Sequence, residues 1–360
     1  MKGNAQGVRD PQGDETYADV YLEHRSLEQN TAKSVRTAWG HLETFLEQES
    51  LVIEAFGEKE AKEFYDYLKL KDGVSQKTGA LYARHLSKLT SWYVDRGKFD
   101  YNPFAMALED MPFEYSTETT KAEIPIQDLR SALRSLPPLM LVVLVLLLKT
   151  GARLSEAVNL DERDVHLDHP VSKRLDDPRP EIRDKPDTLY IDSSISKGEV
   201  HNGEKRNAGN KPNSYRAIPI DPELKDTLVW WFAMAPPSPS PANPVIRNNQ
   251  KSIGHRYSPE WIDTLIRRVA KENGFYAQEH GQGFTAHWCR HWFTTMLRSN
   301  IEAHEVPVGS PSGYVAGLRG DTGGEVIETY THDWSETVNE ENKSYREVYE
   351  DNIPKLLVET

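Results

Sequence analysis

The stretch Thr150–Glu156 reads TGARLSE, and it follows the longest apolar run of the chain, the ten residues Leu139–Leu148. A run of this kind, with no polar face, is typical of a helix buried on all sides, and it is well short of the roughly 20 residues that cross a bilayer. Gly151 is a usual residue at a helix end. The stretch therefore predicts an arginine, Arg153, placed directly after a buried helix and a glycine break.

Outward from this stretch, the second part of the chain is predicted to combine helices with short strands. Apolar spacing and Pro or Gly boundaries indicate helices over Ile126–Leu136, Leu139–Thr150, Leu224–Met234, Trp261–Asn273, Thr285–Ser299 and Glu325–His332. Short strands are indicated at Val165–Leu167, Leu189–Ile191 and Arg216–Ile220. The last two are expected to pair as a hairpin around the polar loop Ser196–Ser214. A charged insertion, Pro170–Pro186, has no function that the residues reveal.

The first part of the chain is predicted to form a separate helical domain. Apolar residues recur at spacings of three and four between Leu42 and Tyr93, which indicates four short amphipathic helices in a bundle ended by Asn102-Pro103. The predicted organisation is a flexible tail at 1–15, a helical domain at 16–110, a linker at 111–121, a second domain at 122–334 and a C-terminal tail at 335–360. The apolar end of that tail, 353–358, is expected either to dock on a neighbouring subunit, exchanging between subunits, or to pack on its own domain.

Three further groups carry chemically useful side chains. His287 and Arg290 lie three residues apart, on one face of a helix. Lys211 precedes Arg216 by five residues, and Tyr330 stands in the sequence TYTH. Taken singly, each has an ordinary structural explanation: a helix-surface pair, a solvated loop lysine or a packing tyrosine.

Taken in order, GARLSE, the hairpin lysine with RAIP, HWCRH at 287–291 and TYTH at 329–332 resemble the tyrosine recombinases, the family of phage integrases and Xer-like enzymes. In layout the resemblance covers residues 16–332. It implies a mainly α fold with a small β-sheet, in which an N-terminal helical core-binding (SAM-like) domain precedes an α+β catalytic domain. It also implies a site-specific DNA recombinase or integrase that cleaves and rejoins strands through a 3′-phosphotyrosyl intermediate, without metal or other cofactor.

The chemistry of strand cleavage accounts for these residue types. Arginines stay protonated and present a rigid fork that matches phosphate, so Arg153 and Arg290 suit the charge on the non-bridging oxygens. A tyrosine attacks and leaves as a phenolate, which keeps the covalent intermediate reversible; in the family this residue corresponds to Tyr330. His287 is able to move a proton at neutral pH.

The resemblance assigns a hairpin lysine as the acid that protonates the leaving 5′ oxygen. Lys211 has the family-like spacing to Arg216 and is the first candidate. Lys197, in Ser196–Glu199, also fits the motif and stays as the alternative, with Lys205 between them.

One position departs from the family pattern. Nine residues before its tyrosine the family has a histidine or tryptophan that donates a hydrogen bond to the scissile phosphate, whereas this chain has Asp321. An ionised aspartate does not donate and repels phosphate. Two explanations stay open: Arg319 is the donor, or Asp321 orients Arg290 or another group. On the family pattern alone, Asp321→His is expected to be tolerated or activating.

The net charge of the whole chain argues against binding of nucleic acid, whereas the charge of one segment argues for it. The chain has 360 residues, with 43 Lys and Arg against 56 Asp and Glu, a formal charge of −13. Gln76–Lys98, however, holds five basic residues against one acidic residue. Lys77, Arg84 and Lys88 share a helix face there, predicted to lie opposite Leu81, Leu86 and Leu89, and are the candidate DNA-binding residues.

The remaining expectations concern surroundings and partners. An acidic total with local basic strips favours a protein of high salt, and thus a halophilic archaeal source. A single cysteine, Cys289, and no apolar stretch after Met1–Asp10 favour a reducing, cytoplasmic compartment and no membrane association.

The expected partners are double-stranded DNA and a homotetramer in the synaptic complex. Two alternatives remain: a type IB-like strand-relaxing topoisomerase, and a catalytically silent DNA-binding relative.

Overall fold

The computed structural model describes residues 8–27, 29–114, 121–276, 283–306, 308, 310–321 and 344–357. The chain divides into two compact units, Met1–Glu118 and Thr119–Thr360, and each has its own hydrophobic core. Among the described residues, no helix is both long enough and apolar enough to cross a membrane.

The first unit is a bundle of short helices around an aromatic core. Its helices are α1 (Tyr17–Glu23), α2 (Gln29–Glu49), α3 (Glu58–Leu70), α4 (Gln76–Val94) and α5 (Pro103–Asp110). The sequence prediction ended the domain's helices at Asn102-Pro103, which is wrong. The Asn102 side chain accepts a hydrogen bond from the Ala105 N–H at 3.1 Å, and Pro103 occupies the first helical position. The same two residues therefore begin α5.

The predicted linker at 111–121 is partly integrated into the first unit. Phe113 is buried against Tyr65, with ring centroids 5.4 Å apart. A Cβ at Gly79 would lie 2.7 Å from the Phe113 ring, so the absence of a side chain at Gly79 makes room for it. Residues 115–120 lie outside the described part of the chain.

The second unit packs helices on a small antiparallel sheet. Its helices are α6 (Ile126–Arg134), α7 (Pro138–Thr150), α8 (Leu154–Asn159), α9 (Pro222–Met234), α10 (Pro259–Glu272), α11 (Ala286–Ala303), α12 (Pro311–Arg319) and α13 (Tyr345–Asn352). The strands are β1 (Val165–His166), β2 (Thr188–Ile191), β3 (Val200–His201), β4 (Glu204–Lys205) and β5 (Arg216–Pro219). The apolar helix α7 packs against α11 and α9, and eleven of its residues from Leu139 to Thr150 are buried. The predicted helix Glu325–His332 lies outside the described residues.

The predicted hairpin between the second and third strands is confirmed. β2 pairs with β5 in antiparallel register, Leu189 opposite Ile218, and β1 adds to the other edge of β2. The long loop between β2 and β5 contains the two-stranded ribbon β3–β4, which the sequence did not indicate. The Arg206 side chain anchors this loop, because it is fully buried and ion-paired with Asp161 at 2.5 Å.

The charged insertion 170–186 is packed rather than free. Val171 and Ile182 belong to the core of the second unit. Arg179 forms ion pairs with Asp164 at 3.0 Å and with Asp192 at 2.8 Å. The insertion is therefore held by two carboxylates at one end of the antiparallel β1–β2 pair, one before β1 and one after β2.

The C-terminal residues also depart from the predicted tail at 335–360. Residues 344–357 pack in the core of the second unit. The Tyr349 hydroxyl donates to the Lys149 carbonyl oxygen at 2.7 Å, and the Leu356 N–H donates to Glu223 Oε2 at 2.8 Å. This segment thus docks on its own domain.

Candidate active site

The stretch Thr150–Glu156 has the local conformation that its residue types favour. Gly151 has φ +60°, and a Cβ there would lie 2.4 Å from the Phe293 ring of α11. Glycine is therefore required both by the left-handed backbone and by close contact between α7 and α11. The Thr150 hydroxyl donates to the Leu146 carbonyl oxygen at 2.7 Å and accepts from the Ala152 N–H at 3.2 Å.

Arg153 is the N-cap residue of α8 and is held by Glu156. Its backbone N–H donates to Glu156 Oε2 and its Nη1 to Glu156 Oε1, both at 2.8 Å. The Glu156 side chain is fully buried and also contacts Arg216 Nη2 of β5 at 2.8 Å. These two guanidinium groups lower the pKa of Glu156 to about 2, although its burial acts in the opposite direction. Glu156 is therefore ionised at neutral pH and fixes the orientation of Arg153.

Arg290 enters the site from α11. Its side chain is 4% exposed, and it donates from Nη1 to the Gly151 carbonyl oxygen at 2.6 Å and from Nη2 to the Arg319 carbonyl oxygen at 2.9 Å. Burial and the nearby charge of Arg153 lower its pKa to about 10. At neutral pH the side chain stays positively charged in a desolvated place, which suits close contact with an anion.

Asp321 brings the two arginines to one point. Its Oδ1 accepts from Arg153 Nη2 at 2.9 Å and from Arg290 Nη2 at 2.6 Å, and its Oδ2 is 2.8 Å from Arg319 Nη2. Two guanidinium groups from distant parts of the chain thus converge on a single oxygen atom. Of the two explanations open for this position, these contacts support the one in which Asp321 orients arginines.

His287 lies one turn before Arg290 on α11, and it is exposed. Burial of part of the ring, together with the positive charges of Lys121, Arg290, Arg319 and Arg153, lowers its pKa below the ordinary value of 6.5. The imidazole is therefore mainly neutral at pH 7 and able to accept a proton.

The candidate lysines lie on the β2–β5 loop. Lys211 is exposed, and its carbonyl oxygen accepts from the Ser214 hydroxyl at 2.6 Å. The same hydroxyl is 3.5 Å from Glu156 Oε1, so the Lys211 turn is joined to the carboxylate that holds Arg153. Lys197 is also exposed, and its backbone N lies 3.1 Å from the position of a Cβ on Gly209. Both lysines therefore remain on the loop that borders the site, and Lys205 is exposed on β4.

Tyr330 lies outside the described residues. Two other tyrosines late in the chain, Tyr314 and Tyr349, are fully buried and donate hydrogen bonds to main-chain oxygens. Burial raises the pKa of Tyr349 well above its usual value, which is unfavourable for a phenolate.

The candidate DNA-binding residues of the first unit share one exposed face of α4. Lys77, Arg84 and Lys88 are all exposed. Leu81, predicted to lie opposite them, is 42% exposed on the same face, since residues 77, 81, 84 and 88 recur at helical spacing. The positive charge of this face also affects His85, whose pKa is lowered by burial and by the charges of Lys88 and Arg84.

Sequence reasoning gave no role to Lys121 and did not identify Arg216 as a partner of Glu156. Lys121 was placed in the linker, yet its charge acts on His287, and its Nζ is buried with no hydrogen-bond partner among the described residues. No sequence signal marks it, because it stands apart from every motif. Among the described residues, no cluster of His, Cys, Asp and Glu has the arrangement of a metal site.

Comparison with known proteins identifies the first unit and the fold of the whole. Residues 16–110 match the family model described as the phage integrase SAM-like domain. A search of curated protein sequences found no match.

Solved structures with the same fold include two integrases. The Tn1549 transposon integrase, in complex with a circular intermediate DNA, is 17% identical with a TM-score of 0.60, covering 88% of this chain and 93% of that one. A lambda integrase(75–356) dimer bound to a COC′ core site is 15% identical with a TM-score of 0.58, covering 85% and 94%. A lambda integrase tetramer bound to a Holliday junction is 15% identical with a TM-score of 0.57, covering 85% and 76%. At these identities the matches establish a shared two-domain fold.

Proposed function

We propose that this chain is a tyrosine recombinase, a site-specific DNA recombinase or integrase that cleaves and rejoins strands through a 3′-phosphotyrosyl intermediate. The observation that carries the proposal is the convergence of Arg153 Nη2 and Arg290 Nη2 on one oxygen of Asp321, at 2.9 and 2.6 Å. Two buried or half-buried guanidinium groups arranged around one oxygen atom suit a non-bridging phosphate oxygen equally well.

The proposed cleavage step combines the two arginines with His287, a loop lysine and Tyr330, the nucleophile that the family resemblance assigns. The Tyr330 hydroxyl attacks the scissile phosphorus, His287 takes the phenolic proton, and the bond from phosphorus to the 5′ oxygen breaks. Lys211 protonates that leaving oxygen, with Lys197 as the alternative acid. Arg153 and Arg290 stabilise the charge that develops on the phosphate. The energy of the broken bond is kept in the phosphotyrosyl linkage, so neither a nucleotide nor a metal is required.

DNA and further copies of the chain are the proposed partners. The exposed face of α4 with Lys77, Arg84 and Lys88 supplies phosphate contacts from the first unit. The structural relatives described above are bound to DNA, and one of them is a tetramer. We accordingly propose a homotetramer on paired sites. The topoisomerase alternative is not favoured, because the similar structures described above are integrases.

The test is covalent capture of DNA. Nicked duplexes with a randomised centre are incubated with the protein across a range of salt, and protein-linked DNA is isolated under denaturing conditions and sequenced. Wild type is expected to give an adduct with a common sequence, and Tyr330→Phe none. Tyr276→Phe, at a 59% exposed tyrosine outside the motifs, is the matched control and should behave as wild type.

Absence of any adduct with folded wild-type protein would contradict the enzyme and favour the silent DNA-binding relative. An adduct that persists in Tyr330→Phe would contradict the assignment of the nucleophile. Relaxation of supercoiled DNA without sequence preference would favour the topoisomerase instead.

The net charge of −13 leads to a proposal about solvent. We expect a protein of a high-salt cytoplasm, since dense surface carboxylates repel one another and salt screens that repulsion. Unfolding midpoints should therefore rise steeply with KCl up to molar concentrations. Full stability and activity in dilute buffer would contradict this.

A further inference from the structure

Arg319 occupies a place that the local backbone fixes. It is the last residue of α12, and Gly320 after it has φ +64°. A Cβ at Gly320 would lie 2.6 Å from Arg216 Nη1 and 2.9 Å from the Ser214 carbonyl oxygen. The C-terminal end of α12 thus approaches β5 closely, and the turn places Arg319 and Asp321 on either side of Gly320.

The contacts of Arg319 leave part of its guanidinium unused. Nη2 lies 2.8 Å from Asp321 Oδ2, and the main-chain oxygen accepts from Arg290 Nη2 at 2.9 Å. Nε is buried and has no hydrogen-bond partner among the described residues. The side chain is still 24% exposed, so the group borders the open part of the site. A desolvated donor without an acceptor is costly unless a ligand supplies the acceptor.

Among the residues that the structure describes, the charges around Arg319 do not balance. Asp321 and Glu156 are the carboxylates in contact with the cluster of described residues Arg153, Arg216, Arg290 and Arg319, with Lys121 close by. Five positive groups therefore face two negative ones. Burial and the charges of Arg153 and Arg216 lower the pKa of Arg319 in spite of Asp321.

A purely structural ion cluster would be expected to balance its charges, because an uncompensated charge that is partly removed from water is destabilising. The surplus here lies where Arg153 and Arg290 converge. A phosphodiester carries one negative charge, and its transition state for cleavage carries more on the same oxygens. An anion of this kind would balance the cluster and give the unused donor of Arg319 an acceptor.

We propose that Arg319 is a third phosphate-binding arginine of the cleavage site, and that Asp321 positions it together with Arg153 and Arg290. The inference rests on the proposed function. In the family, the hydrogen-bond donor to the phosphate stands nine residues before the tyrosine, where this chain has Asp321. Here Arg319, two positions earlier, supplies that donor, and Asp321 holds the Arg319 side chain in place.

The first experiment measures the rate of covalent adduct formation on the duplex selected by covalent capture. Arg319→Gln is expected to slow it about 100-fold, the cost of removing one preorganised donor. Arg298→Gln is the matched control, because Arg298 is 45% exposed near the end of α11 and pairs with Glu302. The control should retain the wild-type rate, and the unfolding midpoint of Arg319→Gln should be unchanged or higher because a like charge is removed.

The second experiment separates phosphate contact from a structural effect. In a Tyr330→Phe background, dissociation constants are measured for the same duplex with an ordinary scissile phosphate and with a neutral methylphosphonate. The loss of affinity caused by the methylphosphonate should be at least threefold smaller when Arg319→Gln is also present. This coupling appears only if Arg319 interacts with the phosphate charge.

An unchanged cleavage rate in Arg319→Gln, or zero coupling in the binding cycle, would overturn the inference while the wild-type adduct still supports the recombinase. If wild type forms no adduct at any salt concentration, the proposed function itself fails. A cleavage defect accompanied by a lower unfolding midpoint and zero coupling would identify Arg319 as structural.

Discussion

Glu156→Gln tests the carboxylate on which Arg153 depends. Glutamine keeps the shape of the side chain and removes its charge. Glu156 and its partner Arg216 both have fully buried side chains, and their closest atoms are 2.8 Å apart. After the substitution Arg216 retains its hydrogen bonds to the Leu318 and Ser214 carbonyl oxygens, but its charge has lost its counterion.

The magnitude follows from the pKa of Glu156. A fall from the ordinary value of 4.5 to about 2 means that the folded protein stabilises the ionised carboxylate by about 3 kcal/mol. Breaking a buried ion pair on one side costs about 3 to 5 kcal/mol in general. We expect Glu156→Gln to lower the free energy of unfolding of the second unit by about 3 kcal/mol at pH 7, and to impair cleavage because Arg153 loses its support.

The assay is urea unfolding as a function of pH, with Glu162→Gln as the matched control. Glu162 also forms a buried pair, with Arg247 at 2.8 Å, but burial raises its pKa. Because the pKa of Glu156 is depressed, its contribution is complete above pH 4.5 and is lost as pH falls toward 2. The raised pKa of Glu162 makes its ionisation unfavourable to folding above pH 4.5, so neutralising it should cost much less. Equal losses at pH 7, or a Glu156 contribution independent of pH below 4.5, would refute this reasoning.

Three further predictions concern the site and the DNA contacts. Lys211→Ala should slow cleavage at least 100-fold on ordinary DNA and far less when sulfur replaces the leaving 5′ oxygen. Lys197→Ala should have little effect on either substrate. Equal slowing of both substrates by Lys211→Ala would exclude Lys211 as the acid. Asp321→His, tolerated on the family pattern alone, should lower the cleavage rate at least tenfold, because an imidazole does not bridge three guanidinium groups; wild-type kinetics would contradict the positioning role. Lys88→Gln should weaken DNA binding at every sequence and reduce the slope of log affinity against log salt by about 1, while Lys59→Gln on α3 should leave the slope unchanged.

The local features of the site were predictable from residue types. Gly151 after an apolar run indicates a helix end from its own sequence. His287 and Arg290 follow from helical spacing. These predictions need only neighbours within one turn, and the structure has each of those neighbours in the expected place.

Long-range contacts were less accessible. Two of the arginine partners of Asp321, Arg153 at the start of α8 and Arg290 on α11, are far from it in the chain, and no local pattern in the sequence relates them. Arg256 illustrates how charge alone misleads: a basic residue just before α10 is a natural candidate for a phosphate contact, yet its side chain is buried, with Asp161 at 2.5 Å and Glu204 at 3.0 Å. Whether an arginine faces solvent or a carboxylate depends on elements far away in the chain, and charge alone does not distinguish the two.

The buried Lys149 has a consequence for biosynthesis. Its Nζ contacts Asp221, Glu223 and the Pro354 carbonyl oxygen at 2.7 to 2.8 Å, and its own carbonyl oxygen receives the Tyr349 hydroxyl. Lys149 stands two residues before Gly151, whose carbonyl oxygen holds Arg290. When the arginines of a nascent chain have emerged from the ribosome but residues 344–357 have not, the chain still lacks the contacts that fix this end of α7. Docking of residues 344–357 is therefore part of forming the end of α7 on which the contact between Gly151 and Arg290 depends.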